Sequence, residues 1–223
     1  SCGAIMGIQK IGLIGMGQMG KGIAEVCALA GYDLIVHDSN SETLNTSKAQ
    51  ISNDLKKLEK KNKIELGKID LVLNRITLAQ TFSEFSSCDL IIEAATENEQ
   101  IKKQIFLELK QILKKNAILA TNTSSISVTR LASSTDNPEN FMGLHFMNPV
   151  PLMNLVELVR GIATSNETYK KLEEFVLHLG KSSSVSEDFP AFIVNRVLMP
   201  MINEAIYSLY EGVGNVENIA RSM

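Results

Sequence analysis

His145 is the residue of this chain whose type and setting best suit proton transfer. Of the three histidines, His37 adjoins an aspartate and His178 falls in a predicted polar-rich helix. His145 instead stands beside the loop-forming residues Pro149 and Pro151. Imidazole has an unperturbed pKa of about 6.5, so it exchanges a proton readily at neutral pH. An inert histidine in the core is the alternative interpretation.

Two further polar features accompany His145 along the chain. Asn122-Thr123-Ser124-Ser125 follows a predicted buried strand, at the carboxyl edge where open α/β sheets bind ligands. Glu157 places a carboxylate inside the apolar run Leu155–Leu158. An ion pair at the edge of a strand is the alternative role for Glu157.

The segment Gly15-Met16-Gly17-Gln18-Met19-Gly20 has the G-x-G-x-x-G pattern of a dinucleotide-binding turn. The pattern alone is weak, but here it follows a predicted strand and opens a helix, and Asp38 ends the next strand. Gly15 permits the tight turn, Gly17 lets the backbone approach a pyrophosphate, and Gly20 allows close packing of helix on sheet. The alternative is an ordinary strand–helix turn.

Asp38 favours NAD over NADP as the cofactor. Its carboxylate can accept hydrogen bonds from the ribose hydroxyls of adenosine and would repel a 2′-phosphate, and no arginine follows it. A simple helix cap is the alternative role for this residue.

Apolar runs and amphipathic stretches alternate, which is typical of βαβ units around a parallel sheet. The predicted strands are Lys10–Ile14, Leu34–His37, Ile76–Leu78, Asp89–Glu93, Ile118–Thr121, Phe141–Phe146 and Leu155–Val159. The predicted helices are Met19–Ala30, a long helix capped by Ser41, Lys68–Asn74, Glu99–Leu113, Val128–Ser133, Thr168–Leu179 and Ala191–Glu211. A Rossmann-type doubly wound α/β sheet is therefore expected.

Two helices after the second strand predict a helical hairpin inserted into the sheet domain. Apolar residues of the first helix fall on one face, and lysines occupy the opposite face. These lysines are Lys56, Lys57, Lys60, Lys61 and Lys63. A solvated helix face is the ordinary interpretation of such a stripe.

The last segment predicts the beginning of a second, all-helical domain. The helix from Ala191 is apolar over most of its circumference and needs partners all round. Asn215 is a plausible N-cap for another helix, but about two turns remain before Met223. We expect a nucleotide-binding domain over residues 6–187 and a partial helical domain over 188–223 that is truncated or completed by dimerisation.

Composition excludes several functional classes. The net charge of −3 argues against a nucleic-acid partner, and no apolar run reaches the roughly 18 residues that span a membrane. Cys2, Cys27 and Cys88 are scattered, and the last two are predicted to be buried thiols rather than disulfide partners or metal ligands. No secretory signal is present, so a cytoplasmic location is expected; a mitochondrial matrix protein without its presequence would look the same.

From about Ile8 to Arg221 the chain resembles the L-3-hydroxyacyl-CoA dehydrogenase family, particularly its bacterial 3-hydroxybutyryl-CoA dehydrogenase branch. The run Gly143-Leu144-His145-Phe146-Met147-Asn148-Pro149-Val150-Pro151 is specific, because unrelated Rossmann enzymes do not share it. The other matching stretches are Gly12–Ala24, Leu90–Phe106, Ala120–Ser125, Leu155–Ser165 and Pro190–Ala205.

The resemblance implies a role for each matching residue. His145 would be the general base that takes the 3-hydroxyl proton while hydride passes from C3 to the nicotinamide, and Glu157 would orient the imidazole. Ser124 and Asn195 would hold the substrate oxygen. The implied cofactor contacts are Gly15, Gly17, Gln18, Met19, Gly20, Asp38, Glu97, Lys102, Ser124 and Asn148.

Several of these residues also fit an ordinary structural role. Asn195 could be a surface or capping residue, and Glu97 with Lys102 could be the solvated start of a helix. Lys61 matches a position that reaches the CoA phosphates, whereas Asp54 stands where relatives carry a serine. The details of CoA binding therefore depart from the family pattern.

The resemblance implies an NAD-dependent 3-hydroxyacyl-CoA dehydrogenase that acts on short acyl chains, such as 3-hydroxybutyryl-CoA or acetoacetyl-CoA, and forms a homodimer through its C-terminal helices. Two alternatives stay open. One is a dehydrogenase of free 3-hydroxy acids, which the lysine-bearing hairpin disfavours. The other is a non-catalytic NAD-binding or structural protein. Acyl chain length and reaction direction are not determined.

Overall fold

The computed structural model describes residues 7–188 and 192–223, with the backbone alone over 192–196. The strands are β1 Lys10–Ile14, β2 Asp33–His37, β3 Ile76–Leu78, β4 Leu90–Glu93, β5 Ile118–Thr121, β6 Phe141–Phe146, β7 Leu155–Arg160 and β8 Ser182–Glu187. The helices are α1 Gln18–Leu29, α2 Ser41–Lys60, α3 Ile69–Asn74, α4 Glu99–Leu109, α5 Val128–Ala132, α6 Asn166–His178, α7 Phe192–Tyr210 and α8 Val216–Ser222. Short 3₁₀ turns lie at Phe82–Ser87 and Pro138–Asn140.

The strands described form one sheet in the order β3-β2-β1-β4-β5-β6-β7-β8. The chain runs outward from β1 to β3 and then returns to β4, which pairs with β1 on its other side. This reversal of strand order creates a crevice at the carboxyl ends of β1 and β4, where doubly wound sheets bind ligands. All neighbouring pairs are parallel except β6 with β7, so the predicted Rossmann-type sheet is confirmed.

Two apolar clusters cover the faces of the sheet. On one face, α1 and α6 pack residues such as Ile23 and Phe175 against β1 and β7. On the other face, α4 and α5 contribute residues such as Phe106 and Leu131. Strands β4, β5 and β6 are buried along their whole length, because helices cover a parallel sheet on both sides. The thiols Cys27 and Cys88 are free and buried, as predicted.

The predicted helical hairpin is formed by α2 and α3. Leu44, Ile51 and Leu55 are buried, while the five lysines of the opposite stripe are exposed. The predicted cap at Ser41 is wrong: Asn40 is the N-cap, and its side chain accepts a hydrogen bond of 2.9 Å from the Thr43 N–H. Asn40 keeps an extended backbone that lets its short amide reach the first turn.

Strand β8 is the element that sequence periodicity missed. Its sequence Ser-Ser-Ser-Val-Ser-Glu has no apolar alternation, yet it pairs in parallel with the whole of β7. Main-chain hydrogen bonds to an existing sheet edge, rather than side-chain burial, hold it in place. The predicted helix Glu99–Leu113 is also shorter than expected, since α4 ends at Leu109.

The C-terminal helices α7 and α8 follow the predicted pattern. Asn215 caps α8 by accepting a hydrogen bond of 2.9 Å from the Asn218 N–H. Apolar side chains on α7 are widely exposed, among them Met199 and Ile206 at 63% and 60%. No helix within the described ranges is both long enough and apolar enough to cross a bilayer.

Glu25 is the acidic residue that α1 buries against the hairpin. Its side chain is 3% exposed. Burial raises the pKa of this carboxyl from 4.5 to about 7, with a smaller contribution from the nearby carboxylate of Asp54; Lys57 acts in the opposite direction. When the chain unfolds, the carboxyl ionises at its ordinary pKa. Ionisation therefore opposes folding, progressively from about pH 4.5 to pH 7.

Glu25→Gln should remove this pH dependence. We expect the free energy of unfolding at pH 8 to rise by about 2 to 3 kcal/mol, because the amide has no charge to desolvate. At pH 4.5 the variant and the parent should differ little. Urea denaturation at both pH values measures this, with Glu174→Gln on α6 as the control. An equal gain at both pH values would contradict the assignment.

Candidate active site

The glycine turn after β1 has the close contacts that a dinucleotide turn requires. Gly15 has a φ of 95°, and a Cβ there would lie 2.5 Å from the Cα of Ala95, beyond the end of β4. A Cβ on Gly20 would lie 1.7 Å from the carbonyl oxygen of Gly15. The turn therefore admits no side chain at either position, and α1 begins directly at the crevice.

The N-terminus of α1 suits a phosphate. Gly17 is its N-cap and supplies no side-chain hydrogen bond, and the first turn holds no acidic residue. The side chains of Asn40, Asn98 and Ser165 satisfy the corresponding N–H groups of α2, α4 and α6. The α1 N–H groups and the helix dipole thus point toward open space beside Gly17, where an anion is stabilised. Gln18 and Met19 form the first turn.

Asp38 joins the ends of β1 and β2. One carboxylate oxygen accepts a hydrogen bond of 2.7 Å from the Met16 N–H, and the other accepts one of 2.8 Å from the Asn40 N–H. Each oxygen retains a second lone pair, so this carboxylate, held in place by the two N–H groups, can still accept hydrogen bonds from ribose hydroxyls. The arrangement fits the adenosine end of a dinucleotide.

A cleft of about 700 Å³ opens beside Asp38. Its apolar wall includes Phe82 from the 3₁₀ turn and Ile101 from α4. Phe82 packs edge-on against His37, whose Nδ1 lies 3.0 Å from the Ala79 carbonyl oxygen. The size and apolar lining are typical of a small-molecule site. Sequence patterns did not identify this cleft, because its lining is assembled from five separate segments.

The candidate proton-transfer pair lies at the other end of the crevice. His145 on β6 and Glu157 on β7 are directly opposite in the antiparallel ladder, so their side chains lie on the same face. His145 Nδ1 is 3.3 Å from Glu157 Oε2. The histidine is 8% exposed and the glutamate is fully buried. Nδ1 is thus the ring nitrogen directed at the carboxylate.

Asn122 ties three strand ends together around this pair. Its N–H donates to the Glu93 carbonyl at the end of β4 over 2.8 Å. Its side-chain oxygen accepts from the Phe146 N–H, next to His145, over 2.9 Å. From the sequence, Asn122 was expected at the sheet edge but not in this role. The signal was an amide side chain immediately after a buried strand.

Glu97 anchors the loop that carries Ser124. Its carboxylate accepts hydrogen bonds from the Thr123 hydroxyl over 2.9 Å and from the Ser124 N–H over 3.2 Å. Glu97 is exposed, so the same residue also remains a candidate cofactor contact. Its alternative interpretation as a merely solvated helix start does not describe these contacts.

Lys102 is fully buried, which contradicts its alternative interpretation as a solvated residue at the start of a helix. Its Nζ donates to Glu93 Oε1 over 2.6 Å and to the Thr121 hydroxyl over 3.2 Å. Thr121 also donates to Glu93 over 2.7 Å, and the other Glu93 oxygen accepts from the Ala95 N–H. Lys102 is thus not solvated; it neutralises Glu93 and holds the β4 turn that shapes the cleft.

Asn148 is exposed at the start of the loop after β6, next to a cis peptide bond with Pro149. Lys181 fastens this loop: its Nζ donates to the carbonyl oxygens of Val150 and Met153 over 2.7 and 2.6 Å. Burial holds the pKa of the Lys181 ammonium below its usual range. No sequence pattern indicated Lys181, because its partners are main-chain atoms.

Lys61, a predicted substrate residue, lies away from these contacts. Lys61 is the C-cap residue of α2 and is exposed. The side chain of Asn195 lies outside the described residues. Ser124 lies in the loop that follows β5 at the carboxyl edge of the sheet; it is half-buried, and its N–H is bonded to Glu97.

Two family models match the chain: the NAD-binding domain of 3-hydroxyacyl-CoA dehydrogenase over residues 10–189 and the C-terminal domain of 3-hydroxyacyl-CoA dehydrogenase over residues 192–223. A 3-hydroxybutyryl-CoA dehydrogenase of Bradyrhizobium diazoefficiens is 55% identical over 97% of this chain and 74% of its own length. The mitochondrial hydroxyacyl-coenzyme A dehydrogenase of Sus scrofa is 38% identical over 97% of this chain and 71% of its own length. A crystal structure of (S)-3-hydroxybutyryl-CoA dehydrogenase from Ralstonia eutropha has a TM-score of 0.89 at 40% identity, covering 95% of this chain and 75% of that one.

Lys102→Met should lower the stability of the protein, because it breaks the buried ion pair with Glu93. Removing the ammonium leaves the Glu93 carboxylate buried without a counter-charge, so we expect a loss of about 3–5 kcal/mol in the free energy of unfolding. Urea denaturation measures it. Lys103→Met, which removes a partly exposed partner of Glu99, should cost about 1 kcal/mol or less. Equal losses in the two variants would contradict the prediction.

Proposed function

The chain belongs to the 3-hydroxyacyl-CoA dehydrogenase family, and from this premise we propose that it interconverts short (S)-3-hydroxyacyl-CoA and 3-ketoacyl-CoA thioesters, such as 3-hydroxybutyryl-CoA and acetoacetyl-CoA, with His145 as general acid and base. The observation that carries the proposal is the buried His145–Glu157 pair, 3.3 Å apart, at the sheet edge where the glycine turn opens. The chain is an NAD-dependent oxidoreductase of this family.

The residues at the crevice fit NAD. The uncapped α1 N-terminus would hold the pyrophosphate, Asp38 the adenosine ribose, and the cleft lined by Phe82 and Ile101 the adenine. Glu97, Ser124 and Asn148 would contact the nicotinamide half. When bound, NAD supplies the ring carbon that exchanges a hydride with C3 of the substrate.

His145 moves the proton that accompanies the hydride. In the oxidation direction the Nε2 atom takes the proton of the 3-hydroxyl group as the C3–H bond breaks and the C=O bond forms. In the reduction direction the same nitrogen returns the proton to the developing alkoxide. The low exposure of His145 keeps bulk water away from this exchange.

Glu157 would fix the imidazole in one tautomer. Its carboxylate accepts a hydrogen bond from Nδ1–H and stabilises the positive charge that develops on the ring when Nε2 is protonated. Full burial strengthens this electrostatic interaction, because little solvent screens it. Ser124 and Asn195 would hold the substrate oxygen next to Nε2.

The lysine-bearing face of α2 would receive the CoA phosphates, with Lys61 as the principal contact. Neighbouring Lys57 is already paired with Asp54 over 2.7 Å. Asp54, at the position where relatives have a serine, neutralises the Lys57 ammonium. Lys57 is therefore less available to a phosphate than Lys61, at the end of the lysine stripe.

The helical part over 188–223 would complete the substrate site and form a homodimer interface. The exposed apolar face of α7, which includes Met199 and Ile206, is the observation in favour of this role. Burying such a face between two copies removes apolar surface from water. The sheet domain over 6–187 would then carry the cofactor, His145 and Glu157.

His145→Gln should lower kcat for NADH oxidation with acetoacetyl-CoA by about 10²–10⁴-fold, because the amide cannot transfer a proton. NADH binding, followed by fluorescence titration, should persist, since His145 lies outside the α1 and Asp38 contacts. The matched control is His178→Gln, whose ring bonds the Tyr32 hydroxyl and should leave kcat unchanged.

A His145→Gln variant within threefold of the parent would refute the acid–base role. Parent protein that binds NADH but does not turn over acetoacetyl-CoA would favour the non-catalytic alternative. Turnover of free 3-hydroxy acids in preference to the thioesters would favour the second alternative.

Lys61→Gln should raise KM for acetoacetyl-CoA by about 3–10-fold, the loss typical of one phosphate ion pair at the surface. KM for acetoacetyl-pantetheine, which lacks the nucleotide phosphates, should not change. Lys170→Gln, an exposed lysine on α6, is the control. Equal effects on both thioesters would argue that α2 does not contact the CoA phosphates.

A further inference from the structure

Strand β8 buries serine side chains and exposes its valine, the reverse of the usual arrangement. Along an edge strand, alternate side chains face opposite sides of the sheet, and valine usually takes the more buried side. In β8, Val185 is 45% exposed while Ser186 is only 8% exposed and Ser184 is half-buried. Burying hydroxyl groups in place of an available valine costs free energy unless they find hydrogen-bond partners. The buried serine hydroxyls are therefore expected to have hydrogen-bond partners.

The register of β8 on β7 places both serines beside Glu157. Ser184 is the Cα partner of Glu157, and Ser186, two residues further, lies on the same face. The Ser186 hydroxyl donates to Glu157 Oε1 over 3.4 Å. The other oxygen, Oε2, faces His145 Nδ1. The carboxylate thus lies between the imidazole of β6 and the hydroxyl of β8.

Ser184 supplies a second observation. Its hydroxyl oxygen is buried and, within the described ranges, has no hydrogen-bond partner. Rotation about the Cα–Cβ bond would turn this hydroxyl along the sheet, toward the carboxylate opposite it in the ladder. A serine side chain has few rotamers to lose on making such a bond.

We propose that Ser186, assisted by Ser184, is a positioning residue for the dehydrogenase reaction: the β8 hydroxyls hold the Glu157 carboxylate turned toward His145 and draw off part of its charge. The inference rests on the proposed role of the His145–Glu157 pair. A hydroxyl donor withdraws charge from the carboxylate that accepts its hydrogen bond, so the imidazolium of His145 is held less tightly and releases its proton more readily.

Two charged groups near the end of β8 have partners of their own. Beyond the end of β8, the Asp188 carboxylate is bonded to the Ser127 hydroxyl and to the N–H groups of Val128 and Thr129 on α5. Arg130 of α5 is paired with Glu99 on α4. Among the contacts given for Glu157, His145 is the titratable partner.

The test compares Ser186→Val with Ser186→Thr. The two side chains have nearly the same shape, but threonine keeps the hydroxyl that valine replaces with a methyl group. Each variant is assayed for 3-hydroxybutyryl-CoA oxidation, and the pH midpoint of the rising limb of kcat/KM is measured. For Ser186→Val we expect the midpoint to move upward by about half a pH unit and kcat to fall about 3–10-fold, because Glu157 holds the imidazolium proton more tightly and is less well oriented. Ser186→Thr, which keeps the hydroxyl, should have the same midpoint as the parent.

Further variants separate the possible failures. Ser183→Val, on the opposite face of β8, controls for general effects on the strand and should leave the midpoint in place. Adding Ser184→Ala to Ser186→Val should move the midpoint further; no added shift would remove Ser184 from the proposal. If Ser186→Val does not fold, as judged by its melting curve, the smaller Ser186→Ala replaces it.

An unchanged midpoint in folded Ser186→Val would overturn the inference. In a Glu157→Gln background, Ser186→Val should produce no shift, because the carboxylate on which it acts is gone; a persistent shift would also overturn it. If Glu157→Gln alone left the rate and pH profile intact, the proposed His145–Glu157 pair would fail, and this outcome is distinct from a failure at Ser186.

Discussion

The reversal of chain direction between β6 and β7 is the constraint on which the candidate site depends. In an antiparallel pair, residues directly opposite each other share one face of the sheet. His145 and Glu157 are such a pair, and both elements that carry them are sheet strands rather than loops. A slip of one residue would turn Glu157 to the other face, away from the imidazole. The parallel pairing of β8 along all of β7 holds that register from the outside.

A second constraint lies where β4 and β5 end. Glu93 and Thr121 are the last residues of these buried strands, and Lys102 from α4 completes a fully buried polar cluster with them. Such a cluster stabilises only when each group has a partner, and here the ammonium, the hydroxyl and the backbone N–H of Ala95 occupy the carboxylate. The loops that follow are therefore held close to one arrangement before any ligand binds, which favours catalysis by a preorganised site.

Much of the fold followed from hydrophobic patterning. Strands that are buried on both faces, such as β5 and β6, appear as continuous apolar runs, and their predicted bounds agree with the structure. Strand β8 was missed because its stability comes from main-chain pairing with β7, which leaves no periodic signal in its side chains. The helix cap was predicted at Ser41, one residue after the observed cap at Asn40. Both polar residues can begin a helix, and only the backbone geometry distinguishes them.

The sequence by itself determined the chemistry available to this protein: the glycine turn with Asp38, the specific run around His145, and a carboxylate at Glu157 within an apolar strand. These features depend on residue type and short spacing, which the chain carries directly. Only the tertiary structure decided that Lys102 is a buried counter-charge rather than a solvated residue, that Asn122 and Lys181 fasten loops, and that the serines of β8 face Glu157. The physical reason is that burial and hydrogen-bond partners arise between segments far apart in the chain, so they exist only once the strands have paired.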